Sequence, residues 1–142
     1  MGVVIQDNSG AVIASLAQLI APAFQPIEIE VIAAARALDF GQEIGITEAI
    51  LEGDSELIIN SLKVGGQSIA SVEPLLQDAM VFSNCYSKLL YSHCRREGNR
   101  LAHSLARYSI NVFNNVVWME EVPTPLFTVV HQDIPNMANQ FQ

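Results

Sequence analysis

The chain has 142 residues, of which 50% are hydrophobic and 15% are charged. This length suffices for one domain with its own hydrophobic core, which excludes a disordered chain and a miniprotein that depends on disulfides. Fifteen acidic against seven basic residues give a net charge of −8, which argues against strong non-specific binding to nucleic acid.

No stretch of the sequence has the pattern of a membrane span or a secretory signal. The most apolar early stretch, AVIASLAQLIAPAF, is too short to cross a bilayer, contains Gln18 and Pro22, and follows no basic region. Cys85 and Cys94 lack the spacing of a zinc site, and we expect them to be buried free thiols in a reducing compartment. We therefore expect a soluble intracellular protein with no membrane partner, and the sequence does not distinguish nucleus from cytoplasm.

The first third of the chain predicts a β-hairpin followed by a helix. The apolar runs GVVIQ and AVIASLAQLI flank the turn residues DNSG, which is typical of a hairpin. A loop with two prolines follows. Apolar residues then recur from Ile27 to Leu38 at helical spacing, and we expect Gly41 and Gly45 to mark the end of this helix.

The remainder predicts alternating strands and helices. A strand over 49–51 runs into a helix through Gly53, Asp54 and Ser55, and either Asp54 or Ser55 is expected to cap that helix. A helix over 72–81, a strand over 88–94 and a last helix from Asn99 complete the order β-β-α-β-α-α-β-α. This order predicts an α/β fold in which helices cover a mixed sheet.

The predicted domain covers residues 1–121, and a tail covers 122–142. The tail contains three prolines and ends in Gln, Asn and Met residues. We expect it to be loosely ordered or to lie across the domain.

Two carboxylates occupy positions that suit a functional site. Asp54 follows a strand at the turn into a helix, where open α/β sheets place their ligands. Glu30 is predicted in the first turn of the first helix, at the edge of its buried face. Each also has a structural explanation, because an aspartate before a helix is commonly a cap and an acidic first turn favours the helix dipole.

Basic residues concentrate in one part of the sequence. Five of the seven lie between positions 88 and 107. They predict either a local basic face on an acidic protein or an ordinary solvated helix surface.

Five stretches, in order, form a pattern that goes beyond secondary structure. They are GVVIQDNSGAVIAS, EIEVIAAARALDFGQEIGI, AILEGDSELIINSL, HCRREGNRLAHSLAR and the closing VVWMEEVP. Over residues 2–122 the sequence resembles the ribonuclease H-like domain that is widespread in plant genomes and related to the RNase H module of retroelement reverse transcriptases. The resemblance implies a five-stranded mixed sheet with flanking helices. It also implies hydrolysis of the RNA strand of an RNA/DNA hybrid with two Mg²⁺ (or Mn²⁺) ions.

The resemblance also implies roles for individual residues. Glu30 and Asp54 match two of the four metal ligands, with Glu28 as the alternative register for the first of them. The position of the last ligand, an aspartate in the family, holds His103, which is either a poorer ligand for Mg²⁺ or simply an exposed histidine. His93 is an ambiguous match to an active-site histidine. The residues expected to contact phosphates are Arg95, Arg96 and Arg100.

The family's first strand, which is central in the sheet and carries the remaining aspartate, has no counterpart in this sequence. Without it two strand edges lack a partner, and each buried unpaired backbone group costs about 1–3 kcal/mol. We expect the chain to be marginally stable, or to fill the gap with residues 126–131 or with a strand of a second copy. A truncated gene model is the simplest explanation.

Three hypotheses follow for the function. The first is an RNase H-type endoribonuclease with Glu30, Asp54 and His103 at its active site, of which Glu30 and Asp54 bind metal. The second is a non-catalytic relic that still binds nucleic acid, and the third is a protein-interaction module. On physical grounds we favour the second for this chain, because two ligands are too few to organise two metal ions.

Overall fold

The structure is a computed structural model, and it describes residues 1–66 and 69–129. Its elements in chain order are β1 (Gly2–Gln6), β2 (Val12–Gln18), α1 (Pro26–Glu43), β3 (Glu48–Gly53), α2 (Glu56–Lys63), α3 (Glu73–Ser83), β4 (Lys88–His93), α4 (Arg100–Tyr108) and β5 (Asn115–Met119). The predicted order of elements is confirmed, and β5 is an addition to it. The predicted α/β class, with helices and both antiparallel and parallel strands, is also confirmed.

The chain forms two compact units. Of the described residues, 1–20 and 96–129 form one unit, here called the split unit, and 21–66 and 69–95 form the other, the central unit. The strands follow this division, since β1, β2 and β5 form one sheet while β3 and β4 form another. The described strands therefore form two separate sheets, whereas the resemblance implied a single five-stranded sheet.

In the split unit an antiparallel sheet is covered by α4. The hairpin turn is fixed by Asp7, whose Oδ1 accepts hydrogen bonds from the Ser9 amide at 2.8 Å and the Ala11 amide at 3.0 Å. The hydroxyl and amide of Ser9, followed by the amide of Ala11, hold the pKa of Asp7 below its usual range. Leu101 and Leu105 of α4 form the core of this unit, together with Val122 from the segment after β5.

β5 was not anticipated from the sequence. It pairs antiparallel with β2, from Ala14 opposite Met119 to Gln18 opposite Asn115. Its Trp118 ring meets Tyr108 edge to face at a centroid distance of 5.9 Å. Before β5, α4 ends at Tyr108 and is followed by a short 3₁₀ turn, Ser109–Asn111.

In the central unit β3 and β4 are parallel, with Glu48 opposite Lys88 and Gly53 opposite His93. A parallel pair requires a crossover, and α2 and α3 supply it. Leu51 and Tyr91 of the two strands pack on a core formed by α1, α2, α3 and the turn before α3. The buried members of this core are Val31, Ile58, Leu62, Val72, Leu76 and Ala79.

The ends of α1 differ in part from the prediction. At its start the backbone N–H of Gln25 donates to Glu28 Oε2 at 2.6 Å, a bond that stabilises the helix start. At its end Gly45 adopts a φ of 88°, and its N–H reaches Gln42 O at 3.0 Å. Gly41 does not mark the end, as it lies inside the helix, where Tyr86 packs against it.

Two further expectations are wrong for the residues described. Residues 126–129, part of the segment considered as a gap-filling strand, are helical, since Pro125 suits the first turn of a helix. The rest of that segment, including His131, lies outside the described residues. The cysteines are not buried, because Cys85 is exposed and Cys94 is half-buried, although both are free thiols. Across 1–66 and 69–129, no helix is both long and apolar enough for a bilayer.

Candidate functional site

Asp54 lies at the carboxyl end of β3, in the turn that leads into α2. The cap of α2 is Ser55, whose side-chain oxygen accepts a hydrogen bond from the Ile58 amide at 3.4 Å. Capping is therefore the role of Ser55, and the half-buried Asp54 stands one residue before the cap. Of the two residues expected to cap α2, Ser55 therefore makes the cap.

The end of β4 lies beside this turn and holds its backbone. The Cys94 amide donates to Gly53 O at 2.9 Å, which continues the parallel pairing by one residue. The His93 ring nitrogen Nε2 lies 3.3 Å from the Asp54 carbonyl oxygen. Since a carbonyl only accepts, this contact is a hydrogen bond when Nε2 carries the proton.

The electrostatics of this edge are set by carboxylates and partial dehydration. Burial raises the pKa of the Cys94 thiol to about 11, with further contributions from the negative charges of Glu52 and Asp54. Loss of hydration also raises the pKa of Glu52. The carboxyl ends of β3 and β4 therefore form an acidic edge, at which Asp54 and Cys94 are half-buried and Glu52 and His93 are exposed. We call these four residues the β3–β4 edge cluster.

Glu30 is placed differently from the expectation. α1 begins at Pro26, so Glu30 is its fifth residue and lies in the second turn, and its side chain is exposed instead of lying at the edge of the buried face. Glu28, the alternative register, is engaged at the start of the helix with the Gln25 amide. Glu30 and Asp54 both belong to the central unit.

His103 and the arginines divide between the two units. His103 is the fourth residue of α4 and is half-buried. The sequence left open whether it is a poor metal ligand or an exposed histidine, and its side chain is not fully exposed. Arg95 ends the central unit, whereas Arg96, Arg100 and His103 belong to the split unit. All three arginines are exposed, as a phosphate-binding role requires.

The donor set for a divalent cation is incomplete in the part of the chain that is described. The oxygen donors of Glu30 and Asp54 suit Mg²⁺ or Mn²⁺. Among residues 1–66 and 69–129, however, no three side chains of His, Cys, Asp or Glu gather closely enough to hold a metal ion. The described residues do not fit a complete two-metal centre.

Sequence reasoning missed two features of the central unit. Cys94 and Glu52 belong to the edge cluster, and only the parallel register, which places residue 53 beside residue 93, reveals this. An open groove of about 410 Å³ was also unforeseen. Its polar lining residues are Lys63, Ser83, Asn84, Tyr86 and Tyr91.

Comparisons with known proteins support this description of the fold. A family model described as reverse transcriptase-like matches residues 1–109. The structure is similar to that of RNase H1 from the halophilic archaeon Halobacterium salinarum NRC-1, with a TM-score of 0.58 and 18% identity, covering 69% of this chain and 85% of that one. At this identity the similarity concerns the fold. The search of curated proteins found no match.

Proposed function

Because the chain belongs to the reverse transcriptase-like family, we propose that it is an RNase H-type domain that binds RNA/DNA hybrids and cleaves the RNA strand weakly or not at all. The observation that supports this most is the position of Asp54. A carboxylate at the turn between β3 and α2, with the cap of α2 made by Ser55, is placed for a ligand.

The ligand positions favour binding over hydrolysis. Glu30 and Asp54 are the residues proposed to hold Mg²⁺ or Mn²⁺, since both supply carboxylate oxygens. When bound, such a cation would neutralise phosphate charge at the scissile bond. At the position where the resemblance implies an aspartate, the chain has His103, and neutral imidazole is a poor partner for Mg²⁺. We propose that His103 does not restore the cleavage activity of the family.

Contact with the hybrid is assigned to the exposed arginines Arg95, Arg96 and Arg100. Guanidinium groups bind phosphate oxygens in a bidentate manner, and each contact adds to the salt dependence of binding. The net charge of −8 opposes non-specific association, so we expect binding that is weak and strongly dependent on salt.

A binding measurement tests this proposal. A fluorescein-labelled RNA/DNA hybrid is titrated with the full chain at several KCl concentrations, with fluorescence anisotropy as the readout. Arg96→Gln should weaken binding and reduce the salt slope by about one. Arg107→Gln, which removes the same charge from an exposed position of α4, is the matched control and should bind like the unchanged protein.

The outcomes separate the three hypotheses. Absence of binding at low salt would favour the protein-interaction module. Rapid cleavage of the hybrid with Mg²⁺ or Mn²⁺, abolished by Asp54→Asn, would establish the active nuclease and contradict the weak-cleavage part of the proposal. Binding that salt weakens, with little cleavage, is the expected result.

A further inference from the structure

We propose that two copies of this chain associate through the outer edges of their β5 strands, which pair antiparallel across a two-fold axis. This surface belongs to the split unit. It contains none of the residues assigned to metal or nucleic-acid binding, so the inference goes beyond the proposed function.

Within residues 1–66 and 69–129, the backbone of β5 has one edge paired with β2 and one edge without a partner strand. The strand order β1-β2-β5 leaves β5 last in its sheet, within the described residues. Asn114 O accepts a hydrogen bond from the Leu19 amide at 3.1 Å, and the Glu120 amide donates to Ile13 O at 2.8 Å. The backbone N–H and C=O groups of the even-numbered residues of β5 therefore point towards β2. Because antiparallel strands alternate, the N–H and C=O groups of Asn115, Val117 and Met119 face outwards.

The surface around this edge is apolar and exposed. Val117 is 42% exposed and Met119 is 55% exposed, and both belong to the strand itself. Just before the strand, Ile110 is 75% exposed and Phe113 is 94% exposed. Exposed apolar residues that follow one another so closely in sequence are typical of a surface that another protein covers.

β5 lacks the features that protect edge strands from pairing. Residues 115–119 read NVVWM, without a charge or a proline, and the register with β2 contains no bulge. Edge strands that remain solvent-exposed commonly carry a lysine, a proline or a bulge. This edge is therefore suited to accept another strand.

The charges next to the strand specify the partner and the direction of pairing. Glu120 and Glu121 follow β5 directly, so parallel pairing of two copies would place carboxylates opposite carboxylates. Antiparallel pairing centred on Val117 places Glu120, where the backbone leaves the strand with a φ of 59°, opposite the partner's uncharged Asn114. A second copy then meets no like charge along the strand, and the contact is self-complementary, as a two-fold interface requires.

Sedimentation equilibrium over a range of protein concentrations tests this pairing. The full chain should show a monomer–dimer equilibrium, and Val117→Lys should raise its dissociation constant by about tenfold or more, because two lysines would face each other at the axis. Val81→Lys, which makes the same change at a 64% exposed position of α3, should leave the equilibrium unchanged. A monomer at all concentrations, or a dimer insensitive to Val117→Lys, would overturn the proposal.

Cross-linking gives a second measurement in case Val117→Lys disturbs the sheet. In a Cys85→Ser/Cys94→Ser background, Val117→Cys should form a disulfide-linked dimer under mild oxidation, because symmetric pairing brings the two thiols together. Val81→Cys in the same background should remain monomeric on a non-reducing gel. Equal cross-linking of both variants, or of neither, would contradict the assigned register.

Discussion

At the scale of single residues, the thiol of Cys94 reports on the carboxylates of the edge cluster. Its pKa is raised to about 11 by burial first and then by Glu52 and Asp54. Only the thiolate is a good nucleophile, so the reactivity of this thiol depends on charges that a cation or a substitution would change. This makes Cys94 a probe of the candidate site that does not depend on catalysis.

We expect Cys94 to be alkylated slowly by iodoacetamide at neutral pH and faster only as the pH approaches 11. Asp54→Asn should lower the pKa of Cys94 and speed alkylation several-fold, while part of the shift remains because burial is its largest cause. Glu73→Gln, at an exposed position of α3, is the control and should have no effect. Mass spectrometry of the alkylated peptide gives the rates, and equal rates for both variants would contradict the assigned proximity.

The same shift affects stability at alkaline pH. The pKa of Cys94 is raised from 9.0 to about 11 in the folded protein, so between these values the unfolded chain releases a proton that the folded protein keeps. The contribution of Cys94 to the free energy of unfolding is therefore complete below about pH 9 and is lost as the pH rises towards 11. Urea unfolding across this range should show a steeper decline for the unchanged protein than for Cys94→Ser.

At the scale of elements, α1 and α2 end where a glycine adopts a left-handed conformation. After α1, Gly45 has a φ of 88° and the Ile46 amide returns to Gly41 O at 2.9 Å. After α2, Gly65 has a φ of 91° and the Gly66 amide returns to Ser61 O at 2.8 Å. These are Schellman endings, in which the last carbonyls of the helix receive partners.

Gly45→Ala should lower the free energy of unfolding by about 1 kcal/mol, because a Cβ strains the left-handed backbone. The cost is purely conformational, since a Cβ at this position would meet no atom within 4 Å. Gly45→Asn should cost less, as asparagine tolerates this conformation better. Urea denaturation followed by circular dichroism compares the two variants, and equal losses for alanine and asparagine would contradict the backbone explanation.

At the scale of the whole molecule, each compact unit has its own core. Leu105 is fully buried in the split unit and Leu76 is fully buried in the central unit. Because each unit has its own core, the two units can unfold locally with different free energies.

Leu105→Ala should destabilise the split unit by about 2–5 kcal/mol through the cavity it creates. Hydrogen exchange should then accelerate in β1, β2 and β5 before it does in α1 and α3. Leu76→Ala is the matched variant and should reverse this order. Uniform acceleration throughout the chain in both variants would mean that the two units unfold together.

The sequence alone was sufficient for the class of fold, the order of eight elements and the location of Asp54 at a strand-to-helix turn, because hydrophobic periodicity and turn residues are local signals. It was insufficient for β5. That short strand depends on β2 for its hydrogen bonds, and its partner lies about a hundred residues earlier in the chain.

Tertiary structure alone decided the surroundings of the candidate site. The exposure of Glu30 follows from where α1 begins and packs, and the edge cluster follows from a parallel register that brings residues 53 and 93 together. Such pairings join residues that are distant in sequence. The burial and the pKa of a side chain depend on the atoms that surround it in the folded protein, and a local sequence pattern does not contain this information. The residue types that suit the chemistry were therefore visible in the sequence, whereas their environment was fixed only by folding.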